Sequence, residues 1–456
     1  MDNIIIKNGL IVRGNGSLRG DILVEDGVIR SVGVDLPAHG AQVMDASDLI
    51  ILSGGVDVHV HLPWPAGAHV SSDTFATGTR AAAFGGVTTV IDFCIPEGDE
   101  SLVEVLERKK DEAEREAWVD YSFHLNIRGD TAKKVQEIPT LIRHGFPSFK
   151  VFMAYDGFRL DDSELRLVLE AARTVGALIS VHAEDGPLAE RVTEKLLLEG
   201  KKSLSNYPHS RPAECEEEAI HRLLHYQQQI GTRVHIHHVS TLGGVAAIAE
   251  ARRAGRPVSG ETCPHYLLYT SEDYCGDPAR AASLICSPSI KSTAHQKALW
   301  NGLADGTLSI LATDHCPYTR TQKEADLDDF SKVPGGMGGV ELRLPLVYSA
   351  GVATGKLNLE RFAQIWAEEP ARIFGLHPRK GTIDPGSDAD LVLFDPYQRW
   401  EVHAADLHMN TDCLPYEGMS LQGKVRATLL RGRLVIREDD MHGEPRGTLI
   451  RRVLTG

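Results

Sequence analysis

The stretch Gly54-Gly55-Val56-Asp57-Val58-His59-Val60-His61-Leu62 decides how the rest of the chain is read. It is rich in β-branched residues and opened by a glycine pair, the signature of a strand. Residues two apart on a strand face the same way, so His59 and His61 project side by side. Two imidazoles so placed suit a divalent metal, zinc above all. Two hydrogen-bonded, inert histidines would give the same pattern, so the downstream sequence has to decide.

Working outward, apolar β-rich runs recur at 56–62, 87–93, 121–127, 149–154, 178–182, 234–239, 257–261 and 309–313. Helix-like stretches lie between them, such as 101–118, 162–175, 214–229, 244–254 and 294–303. This alternation predicts right-handed βαβ units and, with eight repeats, a closed (β/α)8 barrel over 54–377. An open doubly wound sheet is the alternative, but no Gly-x-Gly-x-x-Gly opens a helix near the first strand. Residues 1–53 read as short strands, with Asp26-Gly27 as a hairpin turn. Residues 390–394 and 425–436, broken by Arg431-Gly432, have the same texture. The two ends are therefore expected to meet in one small β-sandwich, 1–53 plus 378–456.

Bulk properties exclude several roles. A net charge of -15 is unsuited to non-specific nucleic-acid binding. No apolar run reaches the length of a membrane span, and the opening Met1 to Gly9 turns polar too quickly for a signal peptide. Seven cysteines, with no Cys-x-x-Cys pair, suggest reduced thiols and a cytoplasmic location.

In such barrels the site lies where strands end at their carboxyl side. His59 and His61 close the first strand, Lys150 sits in the fourth, His182 ends the fifth, His238 the sixth, and Asp314 follows the eighth. Each has a bland reading. Lys150 could form a structural salt bridge, or react with carbon dioxide to give a carbamate able to bridge two cations. His182 could be a satisfied core histidine. Alternation along His235-Ile236-His237-His238 places His238 with Ile236, opposite His235 and His237, and leaves it ambiguous. Asp314 could cap the next segment. Together at one rim, they point to a site.

The ordered motifs resemble those of the cyclic amidohydrolases of the amidohydrolase superfamily, and among them the dihydropyrimidinase/hydantoinase group. They include Gly54 to His61, Ser148-Phe149-Lys150 with Ala154-Tyr155, Val181-His182-Ala183-Glu184, Ser210-Arg211-Pro212, His238-Val239-Ser240, Glu261 to Leu267, Cys286-Ser287-Pro288 and Thr313 to Pro317. The resemblance implies two divalent ions, usually zinc. His59, His61 and Asp314 would hold one and His182 and His238 the other, with a carbamylated Lys150 as the bridge. Asp314 would act as general base and then acid, Tyr155 would stabilise the oxyanion, and Ser287 and Gly335 would contact the substrate ring. The implied reaction opens dihydropyrimidines or 5-substituted hydantoins to N-carbamoyl amino acids; allantoinase or another cyclic-imide hydrolase is the alternative. Val333-Pro334-Gly335-Gly336-Met337 departs from the Pro-Asn-Gly of many hydantoinases. The resemblance also implies a homotetramer and a small cyclic ureide or imide as partner. A non-catalytic scaffold of the dihydropyrimidinase-related kind would have lost metal ligands, whereas here every ligand position is kept. The segment 61–65 and the loop near Phe152, Phe158 and Arg159 are expected to shape the pocket for the exocyclic substituent. Trp64 would either face that substituent or pack.

Overall fold

In a computed structural model, residues 3–66 and 69–455 are described. Eight parallel strands follow one another around a barrel: Gly55–Asp57, Val87–Cys94, Asp120–Asn126, Ser148–Phe152, Leu178–His182, Arg233–Ile236, Val258–Thr262 and Ile310–Leu311. The intervening helices start where local chemistry predicts. Ser101 and Glu104 form a capping box before Leu102–Ala113, and Asp161 and Glu164 another before Asp162–Val175. The helix read over 101–118 stops at Ala113, because the chain turns at Arg115 with φ 74°.

The first strand is much shorter in its ladder than the run 56–62 suggested. Its pairing with the second ends at Asp57, and the seam to the eighth strand is closed by side chains instead. Arg343 donates to Val56 O at 3.0 Å and to Leu311 O at 2.7 Å, one carbonyl on each side of the seam. Asp57 accepts from Thr313 N at 3.2 Å and from Thr313 Oγ1 at 2.7 Å. Above them, Val60 and His315 form a single parallel bridge. The glycine pair serves close approach: a Cβ on Gly54 would lie 2.1 Å from Thr88, and one on Gly55 2.3 Å from Trp366.

Strands from both ends of the chain join in one continuous nine-stranded sheet. The antiparallel pairing of Ile50–Ser53 with Leu391–Glu401 splices them. Alternation sorts the two faces. Ile51, Leu391 and Leu393 enter a small core with Ile22 and Leu429, while Ile50, Leu52, Val392 and Phe394 belong to the barrel core. Ile22 and Leu429, from opposite ends of the chain, share that small core, so the sheet folds over it. Asp26-Gly27 and Arg431-Gly432 are both left-handed two-residue turns, as hairpins with right-twisted strands require. After the sheet, the chain returns to the barrel: Tyr121 N donates to Thr448 O, and Ile450 N to Tyr121 O. Among the described residues, no helix is long and apolar enough to cross a membrane.

A buried ion cluster fastens the sheet to the barrel. Lys380 Nζ contacts Asp120 of the third barrel strand, Asp388 at 2.9 Å and Asp390 at 2.7 Å. Arg431 also pairs with Asp120. Removing the central cation would leave buried carboxylates partly unpaired, which costs about 3–5 kcal/mol. Lys380→Met is expected to lower the denaturant midpoint accordingly, and an unchanged midpoint in a urea titration would contradict this role.

Candidate metal centre

The barrel's carboxyl rim opens into a cavity of about 850 Å³. All nine residues singled out by sequence line it: His59, His61, Lys150, Tyr155, His182, His238, Ser287, Asp314 and Gly335. His59 Nε2 lies 3.1 Å and His61 Nε2 2.9 Å from the same Asp314 oxygen. Across the cavity, His182 Nδ1 faces His238 Nε2 at 2.9 Å. Lys150, 1% exposed, enters from the fourth strand. Its Nζ lies 4.8 Å from the centroid of the Phe152 ring and 5.3 Å from that of Phe93. The salt bridge considered for it is not formed among the described residues; it meets aromatic faces instead.

His238 follows neither of its alternating neighbours. The sixth strand ends at Ile236, and His238 takes φ 36°, which turns it into the cavity. His237 faces the interior as well, with Nδ1 donating to Glu261 at 2.8 Å. Asp314 and Tyr155 are left-handed too, at φ 52° and φ 70°. His315 steadies the chain beside Asp314: its Nε2 donates to Asp73 at 2.9 Å, and its Nδ1 accepts from Gly339 N at 3.1 Å.

Two buried carboxylates stand behind the histidines, and sequence reading assigned neither a role of its own. Glu261 accepts from His59 Nδ1, so the other ring nitrogen of His59 is left facing Asp314. Glu184 lies 3.2 Å from His182 Nε2 and 2.5 Å from Arg211, leaving His182 Nδ1 for the cavity. A carboxylate behind the imidazole is the usual support of a metal-bound histidine. Glu184 stands two residues after His182, the same-face spacing that first marked His59 and His61. Glu261 is the penultimate residue of the seventh strand, and a carboxylate on a barrel strand demands a buried partner.

The electrostatics fit a cation. Burial works against charge on His59, but Asp314 and Glu261 overcome it and push the group up to about 9. Two carboxylates thus favour positive charge at this point of the cavity. Burial keeps His61 down at about 4 and holds His182 and His238 below their ordinary values. Neutral imidazoles are the form that binds metal. His61 Nδ1 and His238 Nδ1 are buried with no hydrogen-bond partner. His59, His61 and Asp314 form one of two groups among the described residues able to hold an ion; His59, His237 and Glu261 form the other. Burial also brings Lys150 down to about 7, against Asp314 and Glu261.

The cavity wall is aromatic on one side. Trp64 lies 4.2 Å from His61 and 6.2 Å from both Phe152 and Phe158, between ring centroids, and it faces the cavity. Arg159 does not join it, pairing outward with Glu190. On the other side, the phenol of Tyr155 is raised well above its ordinary value by burial. Tyr207, not singled out by sequence, donates to Cys286 O at 2.7 Å and lies 3.1 Å from Ser287 Oγ.

Comparison with known proteins agrees with this geometry. A family model described as "Amidohydrolase family" matches residues 50–435. A D-hydantoinase of Geobacillus stearothermophilus is 40% identical over 97% of this chain and 94% of its own length. A D-phenylhydantoinase of Escherichia coli O1:K1 is 38% identical over 98% of each chain. The crystal structure of dihydropyrimidinase from Brevibacillus agri NCHU1002 superposes with a TM-score of 0.97 at 37% identity, covering 100% of this chain and 99% of that one. The chain belongs to the amidohydrolase family, whose members are metal-dependent hydrolases.

Proposed function

We propose that this protein hydrolyses the ring amide bond of 5-substituted hydantoins and dihydropyrimidines, giving N-carbamoyl amino acids. The observation that carries this reading is the convergence of four histidines, Lys150 and Asp314 on one cavity that also has an aromatic wall. His59, His61 and Asp314 would hold one divalent ion, most naturally zinc, and His182 and His238 a second, with Lys150 as a carbamate between them. Lys150 suits that modification because carbon dioxide adds to a neutral amine, and burial favours the neutral form here. When bound, the ions supply a water nucleophilic near neutral pH and polarise the ring carbonyl.

The chain's own groups do the rest. Asp314 takes the proton of the attacking water and delivers it to the ring nitrogen as the C–N bond breaks. Tyr155, kept protonated by burial, donates to the carbonyl oxygen as negative charge develops on it. Ser287 and Gly335 place main-chain groups against the ring edge, so the glycine at 335 can contribute without a side chain. Trp64, Phe152 and Phe158 receive the 5-substituent, an aromatic surface matched to an apolar or phenyl group. The reading is completed by a barrel unit of 54–377, a terminal unit of 1–53 plus 378–456, and a cytoplasmic homotetramer. The compartment rests on the cysteine pattern of the sequence, and the tetramer on resemblance alone.

Incubation with hydantoin, 5-phenylhydantoin, dihydrouracil and allantoin tests the assignment: ring opening of the first three is expected, and activity on allantoin alone would overturn it. Lys150→Ala should lose metal and activity, with partial recovery in small carboxylic acids; unchanged metal content would contradict the bridging role. Tyr155→Phe should keep its metal while kcat falls about a hundredfold, the scale of one oxyanion donor. Unaltered turnover would remove Tyr155 from the reaction. Glu261→Gln should weaken metal retention about 10–100-fold in a chelator competition, the effect of losing a carboxylate behind a metal-bound histidine.

A further inference from the structure

Lys323 is a buried lysine for which the proposed reaction has no use. It ends the short helix Arg320–Lys323, which Thr319 and Gln322 cap reciprocally, and it is 1% exposed. The charged or titratable groups facing it are the thiols of Cys413, Cys286 and Cys316, together with the ring of Tyr318 at 5.7 Å. No carboxylate pairs with it among the described residues, and burial pushes it down to about 8. An ammonium buried without a counter-ion is costly, so its surroundings have to explain it.

Its Nζ donates to Ile285 O at 2.9 Å and to Pro334 O at 2.8 Å. These carbonyls belong to two separate segments that both line the cavity, through Ser287 in one and Gly335 in the other. Gly336 N donates directly to Ile285 O at 2.9 Å, so backbone and lysine tie the segments together. On the first segment, Tyr207 fixes Cys286 O. A Cβ at Gly335 would lie 3.8 Å from Ser287 Oγ and 4.0 Å from Cys286 Cα, in van der Waals contact with the facing segment. The gap between these segments is therefore a narrow slot, held at its back by the Lys323 ammonium and one backbone hydrogen bond.

Building on the cyclic-ureide reading, we infer that Lys323 is a positioning residue. It sets the spacing of the Ser287 and Gly335 segments and so governs recognition of the substrate's planar ring. It touches no reacting atom. Its loss should therefore act on ring binding and leave the metal ligands intact.

Lys323→Met keeps the length of the side chain and removes its donors. In the full-length, metal-loaded protein, KM for unsubstituted hydantoin is expected to rise about tenfold or more, with kcat within about threefold and metal content unchanged. The rise should be smaller for 5-phenylhydantoin, because its substituent has a separate wall to bind. Lys323→Arg, which retains charge and donors on a longer planar head, should give an intermediate KM and carries the test if the Met variant does not fold. A normal KM in a folded variant overturns the inference. So does a joint loss of kcat and metal, or failure of both variants to fold, each the mark of a merely structural lysine. If the unsubstituted protein opens no cyclic ureide, the functional reading fails first and this inference falls with it.

Discussion

The structure depends on how the barrel closes between its first and last strands. His59 and His61 stand on one side of that seam and Asp314 on the other, yet all three meet at a single oxygen, 2.9 and 3.1 Å away. Few backbone hydrogen bonds are available there, because the eighth strand is short and the first leaves its ladder at Asp57. Arg343 and Asp57 supply the missing connection, both fully buried beneath the site. A single guanidinium nitrogen of Arg343, Nη1, donates to both Val56 O and Leu311 O, and the planar group stacks on Trp366 at 4.1 Å. Half of the proposed metal centre thus depends on a seam held by side chains and by the two backbone bonds that His315 makes with His59 and His61.

A second constraint is charge. Glu261 is enclosed by His59, His235 and His237, and Glu184 by His182 and Arg211, all deep in the barrel. Such groups gain little net stability from their pairing, since desolvation offsets the attraction. Their use is directional: each fixes which nitrogen of a histidine faces the cavity. The lowered values of both carboxylates follow from their cationic and hydrogen-bonding neighbours overcoming burial.

Much of this was legible in the sequence, for a definite reason. Period-two spacing marks His59 and His61, a lysine inside an apolar strand marks Lys150, strand ends locate His182 and Asp314, and Asp-Gly and Arg-Gly mark the hairpin turns. Each is a local rule that the tertiary structure preserved. The remainder is non-local. The seam partners Asp57 and Arg343 are 286 positions apart in number, and nothing in either neighbourhood announces the other. The contraction of the first strand follows from that pairing. Tyr207 at the cavity and Lys323 behind it act through contacts to carbonyl groups, which carry no residue-specific signal. Arg159 failed the opposite way: adjacency to Phe158 suggested the pocket, but the turn after Tyr155 points it toward Glu190.

The ambiguity that alternation leaves at His238 shows how the site is built. Alternation assumes that the chain stays extended, and here it does not. Among the described residues 54–377, four non-glycine positions have positive φ: Arg115, Tyr155, His238 and Asp314. Three of the four line the cavity. A left-handed tyrosine or histidine costs on the order of 1–3 kcal/mol and persists only where surrounding structure over-determines it. At these positions it does: Arg159 N and Phe158 N both donate to Tyr155 O, His238 N reaches Glu261 at 3.4 Å, and His315 is pinned between Asp73 and Gly339. Each left-handed residue takes a side chain off the period-two track of its strand and aims it inward at the rim. The fold spends regularity at the points where extended strands would have sent those side chains elsewhere.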